Sequence, residues 1–334
     1  MNFKDIKNEA KRLGIIYKAV YYIYYYCLKC RDGLKEYRLR ERKCSYGDEN
    51  ADKVFYVIGI DYATGGLFAI IKSIFSHINY AIDKGYIPVV DMQHFYSYLV
   101  DKNDPHARNM WEFLFEQPCG YTLDDISKSK NVIKSSRLAY VKGYPVGFDN
   151  TLDEAFSERY HARFRKYVRP NAETKQYVDD IKNKLFGENM KILGGEIRGT
   201  DYSDNHPVGH PIQPTAEMFI SKAKEVMDDG GYDYFFLATE DKRIHDKVRA
   251  AFGYKVIFVE QDLYESTMGK QYLVQIPKKS EADKLRGVLD YYATISLLAQ
   301  CHGLVAGMNG GTIGAYLMSD GYEYVYIWDL GKYE

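Results

Sequence analysis

The sequence predicts an α/β protein built from two Rossmann-like units, and three observations lead there. The chain has 334 residues, more than one hydrophobic core normally serves, so two domains are expected. A strand, a Gly65-Gly66 turn, a long helical pattern and a second strand follow one another between Lys53 and Asp91. From Lys191 onward, strand-like and helix-like segments alternate to Trp328, the pattern of a parallel sheet covered by helices.

Residues 1–45 read as a basic, aromatic helical arm. Six tyrosines fall between Tyr17 and Tyr26, and Lys29, Arg31, Lys35, Arg38, Arg40, Arg42 and Lys43 face only Asp32, Glu36 and Glu41. Aromatic rings beside cations suit the headgroup region of an anionic membrane face. The other reading is a helix that packs on the protein body or pairs two subunits. Lys18 interrupts the apolar stretch, which is too short and too polar to span a bilayer.

Lys53–Ile60 is an apolar strand, Leu67–Ala81 a helix closed by Gly85-Tyr86, and Ile87–Asp91 the next strand. A glycine turn ahead of a helix lets backbone amides meet a polar ligand. From Asn109 to about Arg169 the chain is irregular and aromatic. Its basic residues Arg163, Arg165, Lys166 and Arg169 read either as a cleft lining or as a solvated helix face. Asn171 caps a helix reaching about Leu185, and Phe186-Gly187-Glu188-Asn189 breaks the pattern. The first unit is therefore assigned to residues 46–185 and the second to 186–334.

In the second unit, strands are expected at 191–197, Tyr234–Leu237, Lys255–Val259, Leu304–Ala306 and Tyr324–Trp328. Helices are expected at Ala216–Met227, Lys242–Ala251 and Glu281–Ala299. Polar residues gather where three of these strands end: Arg198 to Asp201, Thr239-Glu240-Asp241, and Asn309-Gly310-Gly311-Thr312. Ligands of open α/β sheets sit beyond such carboxyl ends, so the three clusters define a candidate nucleotide pocket. Arg198 by itself reads as a strand-end ion pair with Asp201 or as an anion site, since a guanidinium fork matches a phosphate.

Composition narrows the function classes. A net charge of −1 gives no electrostatic case for nucleic acid. An apolar fraction of 46% with 27% charged residues describes an ordinary folded protein. Five cysteines in a long chain fit reduced thiols in a cytoplasm. Cys27-x-x-Cys30 with Cys44 lacks a fourth ligand nearer than His77, so no zinc site is expected. The N-terminus has no short apolar core followed by a small-residue cleavage site. The first glycine turn lacks G-x-G-x-x-G and no Tyr-x-x-x-Lys dyad stands in a suitable helix, which argues against a nucleotide-dependent oxidoreductase or epimerase.

The three clusters resemble the motifs of the fucosyltransferase superfamily, which includes α1,2- and α1,6-fucosyltransferases and protein O-fucosyltransferases. Glu196, Arg198, Gly199 and Asp201, followed by His210-Pro211-Ile212, resemble the first motif, His-x-Arg-Arg-x-Asp with a downstream His-Pro-Ile. Phe236-Leu237-Ala238-Thr239-Glu240-Asp241 resembles the second. Ala293 to Gly307, with the loop to Thr312, resembles the third, a helix running into a strand and loop. Gly65-Gly66-Leu67 matches the early glycine turn, and the likeness covers roughly residues 53–328.

The resemblance implies a GT-B-like fold whose two units face a central cleft. It implies a metal-free, inverting transfer of fucose from GDP-fucose, with no cofactor besides that co-substrate. Arg198 would stabilise charge growing on the β-phosphate, and Gly65, Gly66, Asp201, His210, Thr239, Asp241, Asn309, Gly310, Gly311 and Thr312 would surround the donor. Inversion requires a base for the acceptor hydroxyl, and Asp61 and Glu116 are the candidates. Glu196 stands where the motif has histidine, and Gly199 where it has a second arginine. Part of the phosphate clamp is thus replaced, and the middle segment is the expected source of another cation. The acceptor is expected to be a glycan or lipid-linked saccharide of surface polysaccharide synthesis, met in the cytoplasm or at the inner membrane face. A transferase using another nucleotide-sugar, or a non-catalytic nucleotide- or glycan-binding protein, are the alternatives.

Overall fold

The computed structural model describes residues 22–27, 29–30, 39–61, 65–95, 97–99, 108–144, 146–147 and 154–334, with the backbone alone for 154–158. Two sheets organise them. The first has strand order β1-β4-β2-β3, formed by Arg42–Cys44 (β1), Phe55–Ile58 (β2), Ile87–Val90 (β3) and Val132–Lys134 (β4). β2 lies parallel to β3 and to β4, while β1 runs antiparallel to β4. The second sheet is wholly parallel, in the order β7-β6-β5-β8-β9. Its strands are Ile192–Glu196 (β5), Tyr234–Ala238 (β6), Val256–Ile257 (β7), Gly303–Gly307 (β8) and Tyr324–Trp328 (β9). β5 and β8 are buried at every position, as a doubly covered parallel sheet requires.

The helices follow from local chemistry. Gly66 precedes α1 (Leu67–Asp83), whose alternating aliphatic and aromatic residues bury nearly the whole helix. Met110–Leu114 forms α2, and Glu154–Tyr167 forms α3. Asn171 caps α4 (Ala172–Leu185) by accepting the Thr174 amide at 2.8 Å. A short α5 (Thr200–Asn205) leaves β5, Thr215 caps α6 (Ala216–Gly230), and Asp241 caps α7 (Lys242–Phe252). Ser280 caps α8 (Glu281–Leu298), and Asn309 caps α9 (Gly310–Met318).

The arm ends earlier than its composition suggests. Arg42–Cys44 is an edge strand of the first sheet, paired residue for residue with Lys134–Val132, so the tail of the basic cluster belongs to the body. Residues 22–27 are helical, with Tyr22, Ile23 and Tyr26 exposed. Apart from residues 29–30, the remainder of 1–38 lies outside the described residues, and so does most of the expected membrane-facing segment. No helix among the described residues is long and apolar enough to cross a membrane.

One hydrophobic core joins the two sheets: Tyr56 and Ile58 of β2 belong to the same cluster as Phe236 of β6 and Leu304 of β8. Phe68 of α1 meets the ring of Tyr291 on α8 edge-on at 5.5 Å, and Phe115 meets Tyr292 at 5.3 Å. The helices expected to complete the first unit, α3 and α4, pack on α9 and α8 of the second half. The chain therefore crosses from one half to the other before β5 begins.

Candidate functional site

The carboxyl ends of β5, β6 and β8 lie side by side because β5 is the middle strand of the three. This adjacency brings the three polar clusters together. They form one wall of a cavity of about 550 Å³ that Gly65, Gly66, Phe68, Lys72, Tyr98 and Tyr140 line from the first half. The volume falls within the range of small-molecule sites.

Arg198 sits at its centre, with 17% of the side chain exposed. Its Nη2 donates to Asp201 Oδ1 at 2.7 Å, and Nη1 stands 3.4 Å from Glu240 Oε2. The guanidinium lies over the Tyr202 ring at 5.5 Å. Its Nε–H is buried and has no hydrogen-bond partner among the described residues. The two readings of Arg198 are therefore compatible: it is ion-paired, and it lines a ligand-sized cavity.

Glu196 and Glu240 hold this arrangement from below. Glu196 is 2% exposed, and burial pushes its carboxyl up to about 8, against the pull of Thr312 and Arg198. Thr312 Oγ1 lies 2.7 Å from Glu196 Oε2 and 2.6 Å from the Gly307 carbonyl. The Thr312 hydroxyl donates to Glu196 or to the Gly307 carbonyl. Burial likewise raises the Glu240 carboxyl, opposed by Arg198. Glu240 accepts from the Gly199 amide at 3.0 Å and the Thr200 hydroxyl at 2.8 Å.

Gly199 does not stand open to a ligand. A Cβ there would fall 2.2 Å from Asp241 Oδ2, so the carboxylate of the neighbouring strand end fills the space. Asp241 in turn accepts from the amides of Thr200, Arg243 and Ile244 and pairs with the Arg243 guanidinium. These contacts hold Thr200 at φ +31°, a conformation that a β-branched residue seldom adopts and that packing must impose.

The expected donor residues thus separate into two groups. Gly65, Gly66, Arg198, Asp201, His210, Thr239, Asn309 and Gly310 line the cavity. Asp241, Gly311 and Thr312 do not. Thr312 is fully buried, and a Cβ on Gly311 would meet Glu196 Oε1 at 2.2 Å. Asn309 is also 1% exposed, its side-chain oxygen committed to the Gly311 and Thr312 amides.

The two candidate bases are not brought to this cavity. Asp61 pairs with Arg137, and Glu116 forms an exposed ion pair with Arg169 at 2.7 Å. The middle segment also fails to supply the missing cation: Arg159 and Arg163 pair with Asp83, and Arg165 with Asp320. A lysine from the first half does line the cavity, Lys72 of α1, whose buried ammonium is held down to about 8 by desolvation. Lys72 is the one lysine or arginine in a helix of aliphatic and aromatic residues, the signal by which the sequence could have singled it out. Burial also lowers the His210 imidazole. Among the described residues, no group of three or more His, Cys, Asp or Glu side chains could hold a metal ion.

The site and fold define a doubly wound α/β protein with a polar pocket beyond the carboxyl ends of a parallel sheet. No protein-family model matches the chain, and no curated protein does. Among solved structures it is similar to the α-1,6-fucosyltransferase NodZ soaked with GDP-fucose. That match has 17% identity over 80% of this chain and 93% of the other, at a TM-score of 0.47. It is similar also to a mutant of Arabidopsis thaliana FUT1 in complex with GDP (10% identity, 82% and 70% covered, TM-score 0.48). A third is POFUT1 in complex with GDP (10% identity, 83% and 99% covered, TM-score 0.44).

Proposed function

We propose that the protein is a glycosyltransferase of the GT-B kind, taking a nucleotide-diphosphate sugar, with GDP-fucose as the leading donor. The observation that supports this is the meeting of Arg198, Lys72 and the N-terminus of α1 around one cavity of about 550 Å³. Two cations and the first-turn amides of a helix, with no capping side chain on Gly66, suit a diphosphate. Tyr98, Tyr140, Tyr264, Tyr272 and Tyr291 supply ring faces for a base or sugar.

In this reading Arg198 is aimed at the charge that develops on the leaving diphosphate as the glycosidic bond breaks, and Lys72 takes the place of the second arginine of the motif. Asp201 fixes the guanidinium rotamer. Transfer is inverting and the acceptor a glycan or lipid-linked saccharide, reached from the side of Tyr98 and Tyr140. The exposed tyrosines of residues 22–27 fit an arm lying on a membrane surface, with the enzyme on its cytoplasmic face. The base for the acceptor hydroxyl is sought among the cavity's own carboxylates rather than at Asp61 or Glu116.

Calorimetry with GDP, UDP, NAD and CoA, followed by a screen of GDP-, UDP- and dTDP-sugars, tests the reading. GDP is expected to bind, and Arg198→Ala is expected to slow sugar transfer by on the order of a hundredfold. Binding of NAD but not of any nucleoside diphosphate overturns it. GDP binding without hydrolysis or transfer of any sugar would instead favour a non-catalytic binding protein.

A further inference from the structure

The segment between β7 and α8 forms one wall of the cavity around Arg198, which Tyr264, Tyr272, Val274, Gln275 and Ile276 all line. Its two ends are tied together, because Lys278 pairs with Asp262 at 2.6 Å and also donates to the Tyr264 hydroxyl. Between those ends the chain has one helical turn, Leu273–Gln275, and a one-residue bridge from Tyr264 to Asp241. From Asp262 to Lys278 only Thr267 and Ile276 are buried. A loop closed at its base and holding so little core can swing as a unit, since its movement exposes little apolar surface. Gln275 stiffens it by accepting the Gln271 and Tyr272 amides at 3.1 Å.

Two contacts with α5 hold the loop in place. The Asn205 side-chain amide donates to the carbonyls of Lys270 at 3.0 Å and Gln271 at 2.8 Å. The Leu273 backbone amide donates to Asp201 Oδ2 at 3.3 Å, and the other oxygen of this carboxylate holds Arg198. On the opposite side Val274 reaches the glycine turn of the first half, where a Cβ on Gly66 would lie 3.9 Å from its Cγ1. The loop therefore bridges the two sides of the cavity. Asn205 is exposed, so its hydrogen bonds compete with water and are individually weak, which suits contacts that are made and broken repeatedly.

We propose that residues 262–278 form a lid on this cavity and that Asn205, which does not itself line the cavity, is the positioning residue that latches it. The lid lifts about its tied base to let a nucleoside diphosphate pass, and when latched it brings Tyr264 and Tyr272 against the ligand. Asp201 couples the lid to the anion site. A ligand that anchors Arg198 fixes Asp201 and favours closure, and closure slows the ligand's escape. The inference rests on the reading of this cavity as a nucleotide-sugar site.

Trypsin cuts after Lys270, at the carbonyl that Asn205 holds. Limited trypsin digestion of the full-length protein is followed at that bond, with cuts elsewhere as the internal control. Without ligand, Asn205→Ala is expected to be cut there roughly fivefold faster than wild type or more, as loss of a net hydrogen bond implies, at an unchanged melting midpoint. Asn205→Ser is the milder substitution. GDP is expected to slow the cut in wild type, and a fluorescent GDP derivative to leave Asn205→Ala faster by a similar factor. A residue that only supported the fold would instead raise cleavage at every site and lower the melting midpoint. Failure of wild type to bind GDP overturns the donor reading, and the ligand-free comparison still decides the latch. The proposal is overturned by equal cleavage after Lys270 in wild type and variant, by acceleration spread over every site, or by GDP leaving both proteins at one rate.

Discussion

Replacing Glu196 with glutamine removes a deeply buried acid of the site and leaves its shape intact. The folded carboxyl titrates near pH 8, while the ordinary value is 4.5. The neutral acid is therefore the folded form, and the unfolded chain gains free energy by ionising between those two values. Stability from this group is full below about pH 4.5, declines as the pH rises and levels off above about 8. The span of 8 − 4.5 corresponds to on the order of 4 kcal/mol if no rearrangement admits water. Glutamine cannot ionise, and its side-chain oxygen can accept from the Thr312 hydroxyl as Glu196 Oε2 does. Glu196→Gln should therefore gain on wild type by about 2 to 3 kcal/mol between about pH 5 and pH 7, and by less beyond. Urea denaturation of both proteins across that range measures the difference. A difference independent of pH would refute the neutral-acid argument, and a large loss at every pH would show that the carboxylate itself is required.

Other perturbations test neighbouring contacts. Gly199→Ala places a methyl 2.2 Å from Asp241 Oδ2, a carboxylate fixed by several donors, and should cost about 1 to 3 kcal/mol; an unchanged melting midpoint would show that Asp241 is free to move. Lys72 loses its proton above about pH 8, so the affinity for a nucleoside diphosphate should fall as the pH rises through that value, by up to about tenfold per unit. Lys72→Met should weaken binding and remove that part of the slope, as calorimetry at several pH values would show. An equal slope in both proteins would exclude Lys72 as the titrating cation.

Much of the second sheet was legible because its strands are continuous apolar runs with polar ends. The strands at β6 and β9, the cap at Asn171 and the helix from Glu281 all fall within a residue or two of expectation. The first sheet was less legible. β1 and β4 have three residues each, too few for a period-2 pattern, and β1 is highly charged. Its place is decided by pairing with β4, a contact some ninety residues away that no local pattern contains. The halves also share a core because α3 and α4 pack forward onto α8 and α9, which a boundary drawn at a turn cannot reveal.

The candidate site was legible at the level of strand ends and opaque at the level of side-chain direction. Asp241 sits within its cluster yet faces inward because it caps α7 and commits its carboxylate to backbone amides, while Gly311 and Thr312 lie in the first turn of α9, where the Thr312 hydroxyl meets Glu196 and the Gly307 carbonyl. Lys72 was missed for the converse reason. A lysine on a helix is ordinarily solvated, and only the packing of α1 against α8 and α9 brings this one into the cavity. Its place in the cavity is set by tertiary contacts, and its apolar neighbours in sequence are only the hint that it is buried.

The Gly199 position shows how the site accommodates its departure from the motif it resembles. An arginine there would have to occupy the space taken by the Asp241 carboxylate, which also fixes Thr200 in its unusual conformation. The chain keeps one cation on this strand end, and Lys72 of α1 lines the same cavity. The strand-end cation is countered by Asp201 and Glu240, and the carboxyl of Glu240 is raised by burial. An arginine flanked by one firm carboxylate and one poorly ionised acid can exchange the second for an incoming anion at small electrostatic cost, because the displaced acid takes up a proton instead of standing as a buried charge. The ion pair therefore keeps Arg198 oriented while the cavity is empty, and the weak member of the pair is the one a diphosphate would replace.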